Sequence, residues 1–204
     1  MKQNNIVIGL TGGVGSGKTT VMHILKEKYG VHLFIADEIG HLALNKGEES
    51  YDKIIALFGS EIIREDASLD REKIASMIFK NPSLRKKMNE VIHPFVWKFI
   101  QKGLHSLPKD SIAVIESAIL FDAGYEQICD AVWCVVADES ARRYRLKKAR
   151  KYSYEKIHNI MQNQTKDSKL IEKCNEVIKN DGDIKHLENE IDRVFRRQME
   201  RFMV

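Results

Sequence analysis

Proline is scarce in this 204-residue chain, with 3 residues, and glycine numbers only 12, a composition that argues against long disordered linkers. Cysteine is scarcer still in useful arrangements. Cys129, Cys134 and Cys174 are odd in number and form no C-x-x-C pair, so neither a disulfide framework nor a zinc site is indicated. That usage favours a reducing compartment. No apolar run approaches the roughly 20 residues a membrane span needs. Only five apolar residues precede the first glycine-rich stretch, too few for a signal peptide. The expected location is the cytoplasm, with no membrane partner. Neither sign of charge dominates: 33 basic and 29 acidic residues leave a net charge of +4. That slight excess suits small polyanions without requiring nucleic acid. Internal repeats and low-complexity segments are missing too. What remains, 43% hydrophobic and 30% charged, is ordinary for a globular protein. The length fits one α/β domain with a modest insertion.

The most informative stretch is Gly12-Gly13-Val14-Gly15-Ser16-Gly17-Lys18-Thr19, a complete G-x-x-x-x-G-K-[ST]. Ile6 to Leu10 before it reads as a short buried strand. Thr20 to Tyr29 after it reads as a helix, with Val21, Ile24, Leu25 and Tyr29 at helical spacing. Strand, glycine loop and helix in this order form the context a phosphate-binding loop requires. The glycines let successive N–H groups turn inward at the positive end of the new helix. Residues 12 to 20, Thr20 included, are therefore assigned to ATP. Lys18 is expected to reach the β- and γ-phosphates, and the Thr19 hydroxyl to hold Mg2+. A glycine-rich turn with an incidental lysine is the alternative, disfavoured by the complete motif and its flanks.

Gly30 stands where a helix C-cap belongs. Val31 to Ala36 then reads as a second strand, mostly apolar as buried parallel strands are. Asp37 follows directly, at the strand end where ligands of open parallel sheets bind. It is a candidate general base or an N-cap of the next helix, and spacing alone leaves the two even. Residues 38–108 read as helical, with a polar loop from Asp66 to Asp70. Apolar positions from Leu84 to Ile100 keep a helical period across Pro94, which predicts a kink near His93. That bend either wraps the core or turns His93 towards a ligand cleft, the first being favoured. A third strand, Ile112 to Ile115, ends at Glu116, a position suited to a second magnesium-organising carboxylate. Ala131 to Ala137 and Glu176 to Asn180 give two more strands, with Cys134 a core residue. Ile184, Leu187, Ile191, Val194 and Phe195 line a closing helix.

Residues 142 to 151 hold seven cations and no acid. On a helix, Arg143, Lys147 and Arg150 share one side. Such a run is a solvated face or, in a triphosphate-binding domain, a mobile lid over the transferring phosphates. The lid reading, with Arg143, Lys147, Lys148 and Arg150, is favoured here. Asn45-Lys46-Gly47-Glu48 ends in the wrong acid for guanine recognition, and no D-x-x-G switch follows a plausible strand. A small kinase with a helical insertion for its acceptor remains.

Four stretches together resemble the dephospho-CoA kinase family. They are Leu10 to Thr19; Ala36-Asp37 with His41; Leu69-Asp70-Arg71 leading through Ile78-Phe79 and Asn81-Pro82 to His93-Pro94; and Ile119 to Asp122 with Gln164 and Val177 to Gly182. The resemblance implies transfer of the ATP γ-phosphate to the ribose 3′-hydroxyl of dephospho-CoA, giving coenzyme A. It implies a P-loop kinase fold, a parallel five-stranded sheet flanked by helices. Its parts would be a core (about 1–37, 109–138 and 170–204), an acceptor-binding insertion (about 38–108) and a basic lid (about 139–169). Asp37 would be the base, Lys18 and Arg150 would complete the catalytic set, and His41, Arg71 and His93 would line the acceptor pocket. The chain departs from the family in several places. Ile35-Ala36-Asp37 replaces Asp-Ala-Asp, Ala118 to Asp122 replaces Pro-Leu-Leu-Phe-Glu, and Cys174-Asn175 replaces Ala-Asp. Ala149 occupies the usual lid arginine position, leaving Arg150 or Lys148 to substitute. The alternatives are a related kinase for another small molecule or nucleotide, or an ATP-dependent nucleic-acid-binding module. Nucleic acid is not an expected partner, and a monomer is the default assembly.

Overall fold

Four of the five strands are rich in β-branched residues, the composition that suits a strand packed in a parallel sheet. The structure, a computed structural model, describes residues 5–150, 153–162 and 167–202, without the side chains of residues 149, 150 and 160. Strand β1 (Ile6–Thr11) leads into helix α1 (Lys18–Tyr29), then β2 (His32–Ile35) and α2 (Ala36–Leu42). Helices α3 (Glu49–Phe58), α4 (Arg71–Lys80) and α5 (Pro82–Ser106) precede β3 (Ile112–Glu116) and β4 (Ala131–Val136). Then come α6 (Glu139–Arg150), α7 (Tyr154–Gln162), α8 (Asp167–Ile171), β5 (Glu176–Lys179) and α9 (Ile184–Phe202). The sheet order is β2-β3-β1-β4-β5. Central β1 pairs in parallel with β3 (Ile6 opposite Ile112) and with β4 (Ile8 opposite Ala131), and β4 pairs in parallel with β5. This is the five-stranded α/β architecture expected from the sequence.

The chain divides into two compact units, Met1–Phe34 with Pro108–Val204, and Ile35–Leu107. In the first, α1 and α9 pack against each other. Tyr29 stacks on Phe195 with ring centroids 3.7 Å apart, and Trp133 meets the edge of Phe195 at 82°. Glu176, buried on β5, is neutralised by Arg197 and Arg201 of α9. Gly30 caps α1 at φ 65°, donating its N–H to the Lys26 carbonyl at 3.0 Å, a conformation glycine adopts freely.

In the second unit, Leu44, Tyr51, Ile54, Phe58, Ile62, Leu69, Ile74 and Met88 form one buried cluster. Asp70 caps α4 through the Lys73 N–H at 3.0 Å, and Asn81 caps α5 through Leu84 at 3.1 Å. The helical period read across Pro94 is one helix of 25 residues. Pro94 is exposed, as is Glu90, whose carbonyl it leaves without an i+4 donor. Solvent can satisfy that carbonyl. Strand ends differ from the spacing. Ala36 opens α2 instead of closing β2, with Asp37 and Glu38 in the helix's first turn. β4 stops at Val136 and β5 at Lys179, where the Asn180 N–H donates to the Val136 carbonyl at 2.9 Å and the chain turns.

Candidate active site

Four carbonyls of the loop between β1 and α1 are held by donors, two of them from outside the loop. Gly12, Gly15 and Gly17 sit at φ 144°, 78° and 101°, where side chains are strained. A Cβ on Gly12 would overlap the Val135 carbonyl, and one on Gly17 the Asn180 side chain. Lys18 Nζ donates to the Gly12 carbonyl at 2.9 Å, and the Ser16 N–H to Gly13 at 3.1 Å. Arg142 Nε donates to Val14 at 2.9 Å. Asn180 Nδ2 and Arg145 donate to Ser16 at 2.8 and 3.4 Å. In a trans peptide the carbonyl and the following N–H point in opposite directions. The Val14 and Ser16 carbonyls, held from α6 and Asn180, therefore leave the Gly15 and Gly17 N–H groups directed away from those props, at the N-terminus of α1. Thr11 Oγ1 and Ser16 Oγ are buried without a hydrogen-bond partner among the described residues, a polar reserve at the same loop. An anion fits this cradle.

Lys18 is mostly buried, and its ammonium lies 3.6 Å from the carboxylate of Glu116 at the end of β3. Thr19 is exposed in the first turn of α1. Among the described residues no three His, Cys, Asp or Glu side chains converge as metal ligands. One hydroxyl and one carboxylate suit a magnesium ion that takes its other ligands from water and phosphates. The residues present fit such an ion.

The acceptor candidates lie in the other unit. Asp37 is exposed, and Ile35 holds the N-cap position of α2, so the capping role weighed for Asp37 does not apply. His41 is exposed on the same helix, and the Arg71 guanidinium donates to its carbonyl at 3.4 Å. His93 on α5 is half-buried, and burial alone holds its pKa below the ordinary imidazole value, favouring the neutral ring. Helix α2 packs on α5, and a Cβ on Gly40 would touch Ile92 at 3.4 Å.

The basic run splits. Arg142 and Arg145 turn inward to the glycine loop. Arg143 turns outward, with Nε 2.7 Å from Glu139. Lys147 donates to the Tyr154 hydroxyl at 3.0 Å, and Lys148 lies over the Tyr144 ring. The Arg150 side chain and Gln164 lie outside the described residues. Sequence reasoning assigned no role to Arg142, Arg145, Asn180 or Asp167. Their available signal was position: each follows β4 or flanks β5, the strands beside the loop.

A family model described as dephospho-CoA kinase matches residues 6–186. A dephospho-CoA kinase of Moorella thermoacetica is 35% identical over 181 residues, covering 87% of this chain and 85% of that protein. A crystal structure of a Thermus thermophilus protein superposes with a TM-score of 0.82 at 26% identity, covering 95% of this chain and 98% of that one. The dephospho-CoA kinase of Campylobacter jejuni superposes with a TM-score of 0.69 at 21% identity, covering 94% and 96%, a likeness of fold.

Proposed function

The chain belongs to the dephospho-CoA kinase family, and from that membership and its phosphate cradle we propose that it transfers the γ-phosphate of ATP to the ribose 3′-hydroxyl of dephospho-CoA. The observation that carries this reading is the cradle itself, four loop carbonyls held by donors with Lys18 seated beside them. Loop N–H groups and the Lys18 ammonium stabilise charge on the β- and γ-phosphate oxygens. Asp37, in the first turn of α2, accepts the proton of the acceptor hydroxyl and orients that oxygen. His41, Arg71 and His93 contribute to the acceptor pocket. Arg143, Lys147, Lys148 and Arg150 form the lid that excludes water from the reaction. Thr19 and Glu116 would hold Mg2+, which adds charge neutralisation to the bound phosphates. The three free thiols accord with a cytoplasmic enzyme.

ADP release measured against a panel of acceptors tests the reading. Dephospho-CoA is expected to stimulate release by about 10² or more over shikimate or nucleoside monophosphates. Equal stimulation by a nucleoside monophosphate would replace it with the nucleotide-kinase alternative. Glu116→Gln is expected to raise the Mg2+ concentration for half-maximal rate about tenfold. An unchanged magnesium titration would remove Glu116 from the metal site.

A further inference from the structure

A run of seven cations is ordinarily a solvated face, yet Arg142 in its midst is only 7% exposed. A guanidinium is kept out of water only where its donors and its charge are matched. Here both are. Nε donates to the Val14 carbonyl at 2.9 Å, and NH1 reaches the two carboxylate oxygens of Asp167 at 3.3 and 3.1 Å. The approach to the loop is close throughout. A Cβ on Gly13 would overlap the guanidinium, and one on Gly15 would lie 3.1 Å from the Arg142 carbonyl. The neighbouring Arg143 turns the other way, to Glu139.

We propose that Arg142 is a positioning residue for phosphoryl transfer: braced by Asp167, it holds the Val14 carbonyl outward and so aims the Gly15 N–H at the nucleotide phosphates. The inference rests on the nucleotide reading of the cradle and deepens it. The carbonyl of residue 14 and the N–H of residue 15 share one peptide plane, and the chain's described peptides are all trans. Fixing one end therefore fixes the other. Without this donor the peptide can rotate, because Gly15 at φ 78° has no side chain to oppose it. A rotated peptide would present a carbonyl oxygen, not an N–H, to an anion. Through its bond to the Val14 carbonyl Arg142 acts on the loop, which is what makes it a positioning residue. Asp167 extends the brace to α8, tying the loop to the segment that precedes β5.

Three variants separate this role from mere stabilisation. Gln carries an amide nitrogen at the same distance along the side chain as Arg Nε, so Arg142→Gln can keep the bond to Val14 while losing the ion pair. Arg142→Met fills similar space with no donor. Asp167→Asn keeps an acceptor and removes the charge. ATP affinity by calorimetry, and KM for each substrate, are the readouts, with melting curves for every variant. Arg142→Met is expected to weaken ATP binding and raise KM for ATP roughly tenfold, the effect of one charge-assisted hydrogen bond, with KM for dephospho-CoA within about twofold. Arg142→Gln should recover most of that loss, and Asp167→Asn should cost about threefold in ATP affinity alone. Wild-type ATP affinity in Arg142→Met, a glutamine variant as weak as the methionine one, or equal shifts in both KM values would overturn the proposal. Where melting shows Arg142→Met unfolded, Asp167→Asn decides: selective weakening for ATP supports the brace, and no change overturns it. A wild-type chain that binds no ATP would instead overturn the nucleotide reading beneath it.

Discussion

Replacing Asp37 by asparagine is expected to lower phosphoryl transfer to dephospho-CoA by about 10³-fold while leaving ATP affinity within about twofold. Asparagine matches the shape of the carboxylate and still offers an oxygen to a hydroxyl, but it does not take up the departing proton. The substitution tests chemistry and not folding. Asp37 is exposed and is not the N-cap of α2, a position held by Ile35, so no capping bond is lost. The ATP cradle draws its donors from Lys18, Arg142, Arg145 and Asn180, none of which involves residue 37. Steady-state ADP release with dephospho-CoA, alongside calorimetric titration with ATP, provides both numbers. Turnover within tenfold of the unmodified enzyme would remove Asp37 from the base role.

Lys18→Met is expected to lower kcat/KM for ATP by about 10² to 10³. Methionine retains the length and apolar stem of lysine while deleting the charge aimed at the phosphates. Two further effects follow from the geometry. Lys18 occupies the Gly12 carbonyl at 2.9 Å, so one loop peptide loses its restraint. Glu116, itself buried, loses the ammonium 3.6 Å away and becomes a carboxylate short of its cation. Melting temperature should therefore fall in the single variant. Lys18→Met combined with Glu116→Gln should recover much of the melting temperature without recovering the rate. Recovery of both in the double variant would show that lysine serves only to neutralise Glu116.

The loop, its strand and its helix were legible because glycine positions and apolar periodicity are local signals. The Gly30 cap and the two helix starts at Asp70 and Asn81 rest on equally local chemistry, a left-handed backbone and a side-chain oxygen. The inward faces of α6 were not legible. Seven clustered cations look alike in a sequence, and only the packing of α6 beside the loop separates Arg142 and Arg145 from Arg143. Asp167 was equally silent, being 25 residues from the arginine it pairs with. Helix α5, by contrast, was legible across Pro94, its apolar period continuing on both sides of the proline. An exposed helix face absorbs the bond the proline loses.

The central position of β1 has a consequence for synthesis. Its partners Ile112 and Ala131 are translated long after Ile6 and Ile8, with the whole Ile35–Leu107 unit in between. On the ribosome the middle unit, whose buried cluster is made of its own residues, can consolidate first. The nascent phosphate loop meanwhile lacks neighbouring strands and every one of its arginine and asparagine props, so nucleotide competence arrives only once α6 and Asn180 have emerged.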